Sequence, residues 1–243
     1  MSNNKETFTI TAALPYANGP IHIGHLAGVY IPADIFARYK RLTNNDVAFI
    51  CGSDEHGVAI SLASKKASIS PKELIDKYDK MIKKSFDEFG ILFDNYSRTS
   101  NKIHHETSIS FFENLKEKNL FSLIKSEQFF DVNENQFLAD RYISGTCPVC
   151  GFDEAYGDQC EKCGSTLSPE ELKNPKSTIS NSAPILKETK HYYIKLDEFE
   201  EFIKNWITVE NKDKWKTNVV GQVKSWLDSG LKPRAVTRDL DWG

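Results

Sequence analysis

The sequence predicts an α/β protein: the first half of a doubly wound parallel sheet into which a connective module is inserted. Apolar strand-like runs alternate with helix-period segments as far as Phe89, which is the order that builds such a sheet. From Leu120 the pattern changes to short alternating runs that are typical of small antiparallel strands. Ligands of open parallel sheets bind at the carboxyl ends of the strands, so the segments that follow the predicted strands are the candidate site.

Each element of the first half has a local signal. Phe8–Ala13 and Asp46–Cys51 are apolar and β-rich, as buried strands require. Between them apolar residues recur at helical spacing, and Pro32 should kink that helix or relax its first turns. Ser70 is the expected N-cap of a later helix with Pro71 at its first position. The predicted helices are Leu26–Thr43, Val58–Ala67, Pro71–Phe89 and Ser100–Asn119.

The later part of the chain has the pattern of an inserted module that contains four of the five cysteines. Short strands come first, and helical spacing then returns. The predicted pieces are strands at Phe121–Ile124 and Glu127–Val132, cysteine knuckles at about residues 144–166, and helices at Asp197–Ile207 and Trp215–Gly230. The predicted domains are residues 1–119, the module at 120–231, and a segment at 232–243 that returns toward the first domain.

Composition excludes two broad classes of protein. With 243 residues, 40% of them hydrophobic, the chain has ample material for a packed core. No apolar run approaches the ~20 residues that cross a bilayer, and the N-terminus lacks the apolar core of a signal peptide. We therefore expect a cytoplasmic protein without a membrane partner. The formal charge of −3 gives no global basic field, so any nucleic acid would need local patches or parts outside this chain.

Four cysteines form two Cys-x-x-Cys hooks. Cys147 with Cys150 and Cys160 with Cys163 are separated by nine residues, close enough to surround one ion. Four thiolates suit a tetrahedral structural zinc, and the glycine after each hook permits a tight turn around the metal. Paired disulfides and a thioredoxin-like redox site are the alternatives, and neither explains two matched hooks. The sequence therefore predicts one structural zinc per chain.

The stretch Pro15–His25 follows the first strand and leads directly into a helical pattern. It carries His22 and His25 with Gly24 between them. A helix start collects unpaired backbone N–H groups and positive dipole, which favour an anion, and two imidazoles there add donors for phosphate oxygens. Gly24 has no side chain, so its backbone can approach a flat ligand such as a nucleotide base. The stretch therefore predicts a nucleotide-phosphate site.

The motif His22-Ile23-Gly24-His25 resembles the signature of the class I aminoacyl-tRNA synthetases. Within that class the resemblance is closest to the methionyl-tRNA synthetases, whose N-terminal strand and loop are similar to Ala12–Gly19 and whose second-strand motif is similar to Cys51–Gly57. The isoleucine enzymes share the Pro-Tyr-Ala-Asn-Gly loop, so it is the second motif and the cysteine hooks that favour methionine. The resemblance covers essentially the whole chain, as far as Thr237–Gly243, and implies a Rossmann-like fold.

The resemblance implies a two-step ligase reaction. Such an enzyme activates L-methionine with ATP to methionyl-adenylate, and it then transfers the methionyl group to tRNA(Met) for the initiation and elongation of translation. ATP with Mg²⁺ and a structural Zn²⁺ are the implied cofactors, and L-methionine and tRNA(Met) are the implied partners. In-line attack at phosphorus needs positioned donors and cations more than a covalent protein nucleophile.

Site residues follow from the matched motifs. His22 and His25 are the implied catalytic donors, and Asp54, after the second strand, is the implied partner of the methionine ammonium. An alternative role for Asp54 is to cap a helix that begins near His56. Arg238 resembles a family arginine that supports the active site, and a plain surface arginine is the alternative. The implied ATP-binding residues are Pro15, Asn18, Gly19, His22, Gly24 and His25, and the implied methionine-binding residues are Ala13, Leu14, Tyr16 and Asp54.

One family motif is missing from the chain. The second signature, Lys-Met-Ser-Lys-Ser, which binds ATP phosphates in this family, is absent. We therefore expect an N-terminal fragment that requires the missing C-terminal half and is inactive alone. A fragment of an isoleucyl-type synthetase and a stand-alone zinc-bearing RNA-binding module are the alternatives.

Overall fold

The computed structural model describes residues 5–242, which divide into two compact units. The first unit contains the residues up to Ser110 and those from Asp241 onward, and the second unit is Phe111–Leu240. The domain limits expected from the sequence, after residues 119 and 231, partition the chain differently and stay a prediction. Within the described residues, no helix is both long enough and apolar enough to cross a membrane.

The first unit is a parallel sheet with helices between its strands. The strand order is β1-β2-β3, and both neighbouring pairs are parallel. The strands are β1 (Thr7–Thr11), β2 (Asp46–Ser53) and β3 (Asn95–Arg98). The helices are α1 (Ile23–His25), α2 (Ile31–Leu42), α3 (Val58–Ala67), α4 (Pro71–Glu88) and α5 (Lys102–Glu117), the last of which crosses into the second unit. This topology confirms the predicted α/β fold class.

Apolar residues from the strands and helices form the core of the first unit. Phe49 of β2 is fully buried, and the Tyr30 and Phe86 rings pack edge to face with centroids 4.7 Å apart. A second buried cluster joins Ala17, in the loop after β1, to residues of α3 and α4. Aromatic pairs of this geometry add to the stability that burial provides. The core therefore fixes the loop after β1 as well as the sheet.

The predicted first helix contains a wide turn. It begins earlier than expected, at Ile23, and Leu26–Tyr30 is a π-turn that separates α1 from α2. Pro32 stands at the start of α2. Proline has no N–H and its ring excludes the carbonyl four residues earlier, so the hydrogen-bond pattern must change there. The expectation that Pro32 relaxes the first turns is confirmed.

Helix α4 begins as predicted. The Ser70 hydroxyl accepts a hydrogen bond from the backbone N–H of Glu73 at 3.2 Å. The Glu73 carboxylate accepts one in return from the Ser70 N–H at 2.9 Å, and Pro71 occupies the first helical position. These reciprocal bonds are a capping box, which satisfies two backbone donors that the helix cannot.

The second unit is built on one long antiparallel strand pair. Strand β4 (Phe121–Asp131) pairs with β9 (Ile185–Ile194) along ten residues of each strand, in a sheet of order β10-β9-β4-β5. The prediction of two short strands in place of β4 is wrong. Lys125 and Ser126 interrupt the alternation of apolar residues, but their backbone groups find partners in β9, so the strand continues. The remaining strands of this sheet are β5 (Gln136–Phe137) and β10 (Arg234–Ala235).

The cysteine region and the later helices complete the second unit. A small sheet of order β7-β6-β8 borders the cysteine hooks. Its strands are β6 (Ile143–Thr146), β7 (Ala155–Tyr156) and β8 (Lys173–Ser177), and the helices are α6 (Glu200–Asn205) and α7 (Thr217–Asp228). The predicted helix at Asp197–Ile207 is only partly regular, because a 3₁₀ turn at Leu196–Phe199 precedes α6 and a π-turn at Trp206–Glu210 follows it.

A buried ion pair lies at the carboxyl ends of β2 and β3. Glu55 is fully buried, and its carboxylate accepts a hydrogen bond from Nε of Arg98 at 2.7 Å and one from the Ser53 hydroxyl at 2.7 Å. Arg98 also pairs through Nη2 with Asp76 at 2.7 Å. A buried charge is tolerated only when it is paired and hydrogen-bonded, and Arg98 and Ser53 meet this condition for Glu55.

In the second unit, Asp131 is a fully buried carboxylate at the end of β4. Its oxygens accept hydrogen bonds from the backbone N–H groups of Asn133 and Glu134, at 2.9 and 3.2 Å, and from the Ser180 hydroxyl at 2.5 Å. Burial by itself would raise the pKa of Asp131. The hydrogen bonds from Ser177, Ser180 and the two backbone groups outweigh burial and lower the pKa to about 2.

We predict that Arg98→Met destabilises the first unit by about 3–5 kcal/mol, because it leaves the buried Glu55 carboxylate unpaired. Urea denaturation followed by circular dichroism measures the free energy of unfolding. Lys84→Met is the control: it breaks an exposed pair with Glu88 and should cost less than about 1 kcal/mol. Equal losses for the two variants would contradict a structural role for the buried pair.

We predict that the second unit loses stability as the pH falls from about 4 to about 2. The native pKa of Asp131 lies below its usual range, so in that interval the unfolded chain binds the proton and the native state does not. Asp131→Asn removes this group. The difference in unfolding free energy between wild type and variant should therefore shrink as the pH falls. A difference that is constant across the interval would show that the Asp131 charge does not matter.

Candidate functional site

The loop after β1 and the segment after β2 continue the parallel sheet beyond its strands. Tyr16 and Asp54 form a parallel bridge. The Asp54 N–H donates to the Pro15 carbonyl at 2.9 Å, and the Ala17 N–H donates to the Asp54 carbonyl at 2.9 Å. These bonds bring together two of the predicted methionine-binding residues, although 38 positions separate them in the sequence.

His22 and His25 cap their own helix. Nδ1 of His22 accepts a hydrogen bond from the Gly24 N–H at 3.1 Å, and Nδ1 of His25 accepts one from the His22 N–H at 3.1 Å. The two rings lie against each other, with centroids 3.9 Å apart. An imidazole nitrogen that accepts from a backbone N–H carries no proton, so the neutral form of each ring has its proton on Nε2. Both side chains are solvent-exposed and can offer these Nε2–H groups to a ligand.

Gly24 leaves room for the His22 ring. A Cβ atom at position 24 would lie 2.9 Å from Cε1 of His22, which is shorter than a van der Waals contact. The sequence predicted that Gly24 allows a ligand to approach the backbone. The close neighbour within the described residues is the His22 imidazole, which the glycine allows to fold back over the helix start.

Asp54 does not cap a helix. Helix α3 begins at Val58, its N-cap is Gly57 at φ +98°, and no side chain caps it. The Asp54 carboxylate instead accepts from the His56 N–H of its own segment at 3.5 Å. It is half-buried and, within residues 5–242, forms no ion pair. The capping alternative is therefore wrong.

The other predicted loop residues border the same sheet end. Leu14 is half exposed, Asn18 is exposed and Pro15 is buried. The Ala13 carbonyl accepts a hydrogen bond from the Tyr30 hydroxyl at 2.9 Å, which ties the loop to the core. Burial, with a smaller contribution from Cys51, raises the pKa of Tyr30 to about 12, so this hydroxyl stays a donor at neutral pH. The remaining predicted residue, Gly19, is partly exposed and has room beside it.

Arg238 lies in the second unit and is exposed. Its Nη1 donates to the Thr237 carbonyl at 2.8 Å. In the described part of the chain it forms no ion pair, whereas the neighbouring Asp239 contacts Nε2 of the buried His191 at 3.0 Å. Arg238 is thus a surface residue of this chain, and its support of the active site stays a prediction.

Sequence reasoning missed the partners of the Asp54–Gly57 segment. Trp242 donates from Nε1 to the Glu55 carbonyl at 2.6 Å, and its own carbonyl accepts from the Gly57 N–H at 3.0 Å. His105 contacts the His56 ring. No local pattern marks these residues, because their partners are distant in the sequence.

The four cysteines of the hooks converge. Their sulfur atoms all lie within 4.8 Å of one another; Cys147 Sγ is 3.9 Å from Cys163 Sγ, and Cys150 Sγ is 3.6 Å from Cys160 Sγ. A tetrahedral ion with Zn–S bonds of about 2.3 Å requires sulfur separations of about 3.8 Å, so the donor set fits zinc. All four are free thiols, so the disulfide alternative is wrong.

The turns that shape the hooks are alike. The Gly151 N–H donates to the Cys147 carbonyl at 3.0 Å, and the Gly164 N–H donates to the Cys160 carbonyl at 2.8 Å. Both glycines have positive φ, +72° and +73°, a conformation that other residues adopt only with strain. This confirms the predicted need for a glycine after each hook.

Known proteins resemble this chain along its length. A family model described as tRNA synthetases class I (M) matches residues 8–243. The chain is 63% identical over 243 residues to a methionine–tRNA ligase of Flavobacterium johnsoniae and 60% identical over 243 residues to one of Cytophaga hutchinsonii. Those alignments include 100% of this chain but 34% and 35% of the relatives, so the chain spans about a third of the length of the curated relatives it matches.

A solved structure shares the fold. It is described as Mycobacterium tuberculosis methionyl-tRNA synthetase in complex with methionyl-adenylate. The superposition has a TM-score of 0.72 at 22% identity and covers 98% of this chain and 42% of that chain.

Proposed function

The chain belongs to the class I tRNA synthetases (M), and on that premise we propose that it is the N-terminal part of a methionine–tRNA ligase. The proposed reaction is activation of L-methionine with ATP to methionyl-adenylate, followed by transfer to tRNA(Met). The observation that carries the proposal is the backbone bridge between Tyr16 and Asp54, which sets these two residues side by side after β1 and β2. The relatives described above favour methionine over isoleucine.

In this proposal the two histidines act on the ATP phosphates. Each Nδ1 is held by a backbone N–H, so each Nε2–H has a fixed direction before substrate arrives. Donors that are already oriented toward developing charge stabilise a transition state more than the ground state. His22 and His25 would thus stabilise charge on the phosphate oxygens, with Mg²⁺ as the expected counterion, while the loop residues Pro15, Asn18, Gly19 and Gly24 border the nucleotide.

Asp54 is the proposed acceptor of the methionine ammonium group. Its neighbour Glu55 is neutralised by Arg98, but Asp54 has no cationic partner in the described range 5–242. A half-buried carboxylate without a cationic partner is a favourable site for a charge-assisted hydrogen bond from an ammonium group. Tyr16 supplies an aromatic wall, and Ala13 and Leu14 supply apolar surface, for the methionine side chain.

The activity is proposed for the longer protein. Because the chain spans about a third of its relatives' length and contains no Lys-Met-Ser-Lys-Ser, the other phosphate-binding groups would come from outside these residues. The protein groups that bind phosphate come from both halves of a doubly wound sheet, and they must converge on one nucleotide. We accordingly propose that this chain alone does not form adenylate. The exposed Arg238 would at most support the site.

The metal proposal is a structural zinc held by Cys147, Cys150, Cys160 and Cys163. Four thiolates leave no open position for substrate, so the ion would hold the two hooks together and take no part in the reaction. The sulfur separations support this assignment.

We predict that the full-length protein binds one zinc ion per chain and that Cys160→Ser lowers the bound zinc to about half or less. Metal binding supplies folding energy to small knuckles, so limited proteolysis should then cut the hook region faster. Cys51→Ser, which changes the fifth cysteine, is the matched control and should keep its metal. Full zinc content in Cys160→Ser would contradict the assignment.

We predict that two substitutions in the full-length enzyme impair different kinetic parameters. His22→Ala should lower kcat of methionine-dependent pyrophosphate exchange about 10²–10³-fold, as loss of an oriented donor does, with little change in methionine KM. Asp54→Asn should weaken methionine binding at least about tenfold, because it removes a charge from a charge-assisted bond. The proposed function fails if the wild-type enzyme shows no exchange, and the role of His22 fails if only KM changes.

A further inference from the structure

In the segment Asp54–Gly57, each backbone N–H and carbonyl group from the Asp54 N–H to the Gly57 N–H has a hydrogen-bond partner. The Tyr16 loop bonds the Asp54 N–H and carbonyl, and the Tyr16 hydroxyl donates to the His56 carbonyl. Thr99 and Trp242 bond the Glu55 N–H and carbonyl, and Trp242 also bonds the Gly57 N–H. The segment is therefore clamped along both sides, and its geometry depends on the residues that form the clamp.

The side chain of His56 is also held at both of its ring nitrogens. Nδ1 lies 3.2 Å from the Thr99 hydroxyl, and Nε2 lies 3.3 Å from Nε2 of His105. The Trp242 ring covers the imidazole, with centroids 5.7 Å apart. An imidazole held in this way cannot rotate without breaking two hydrogen bonds.

Two neutral proton arrangements suit these contacts. The Thr99 oxygen accepts from the Glu55 N–H at 2.9 Å, and its hydroxyl can still either donate to Nδ1 of His56 or accept from it. His56 donates from Nε2 to Nε2 of His105 in the first arrangement and accepts from it in the second. Burial, then the nearby His105, lowers the pKa of His56, while Asp54 and Glu55 act against this and His104 adds to it. His56 is therefore neutral at pH 7, as both arrangements require.

His105 is not placed by core packing. It lies on α5, a helix with no buried residue, and its neighbours Ile103 and Ile109 are 69% and 57% exposed. Its ring centroid lies 5.2 Å from that of His56. The contact thus links an exposed helix directly to the segment that bears Asp54.

We propose that His105 is a positioning residue for amino-acid recognition: through His56 it holds the Asp54–Gly57 segment, and with it the Asp54 carboxylate and the Tyr16 ring. The proposal rests on the proposed function, in which Asp54 binds the substrate ammonium. It adds a residue that lies outside the signature motifs and that contacts His56.

The test compares three variants of the full-length ligase in methionine-dependent pyrophosphate exchange. His105→Ala should raise methionine KM about 3–10-fold, the effect of one lost hydrogen bond, and leave kcat and ATP KM within about twofold. His105→Gln offers an amide group near the position of Nε2 and should restore methionine KM. Lys102→Ala, which changes an 88% exposed side chain of the same helix, is the control and should behave as wild type.

Two kinetic results would overturn the proposal. One is an unchanged methionine KM in His105→Ala. The other is an equal loss in kcat and in both KM values that His105→Gln does not restore, since this pattern indicates a general structural defect.

A spectroscopic measurement separates this inference from the proposed function. In protein labelled with ¹⁵N-histidine, His105→Ala should shift the ring resonances of His56, whereas Lys102→Ala should leave them in place. Unshifted His56 resonances would overturn the pairing even in an active enzyme. A wild-type protein without exchange activity would overturn the proposed function and the recognition role with it, while a shift would still establish the pair.

Discussion

The structure of the candidate site depends on the parallel pairing of β1 and β2 and its continuation into the loops that follow. Parallel strands have their carboxyl ends at one edge, and here the ladder extends two steps further, through the Pro15 carbonyl and the Ala17 N–H. Without this extension the Tyr16 loop and the Asp54 segment would be independent connections. With it, a displacement of either changes the other, and α1 begins only seven residues after Tyr16.

The extended backbone after β2 also explains why two adjacent carboxylates have different chemistry. Successive side chains of an extended segment point to opposite sides. Glu55 points to the interior, where it is fully buried and paired with Arg98. Asp54 and His56 are both half-buried, and in the described residues neither has an ion pair. The buried pair neutralises the charge of Glu55 and leaves that of Asp54 available. The sequence Asp-Glu alone does not show which of the two carboxylates is paired.

The sequence predicted what depends on local signals. The Ser70 cap, the proline-relaxed turn and the glycine after each cysteine hook all arise from interactions within a few residues, and all three are confirmed. It failed where distant partners decide. Strand β4 runs through Lys125 and Ser126 because β9 pairs with it, and Trp242 contacts Glu55 across 187 positions. Such contacts leave no periodic pattern in either segment, so His105 and Trp242 could not be selected from the sequence.

The chain returns to the first unit at Asp241, after the whole of the second unit. A long insertion is therefore compatible with a well-defined backbone geometry in the segment after β2. The entropy cost of closing a loop grows slowly, by about 0.6 kcal/mol for each doubling of its length, so most of the cost is already incurred by a short connection. Two hydrogen bonds from Trp242 and its contact with the His56 ring act against that cost. The first unit can therefore hold Asp54–Gly57 from both sides, although one side is supplied by residues that follow the whole of the second unit.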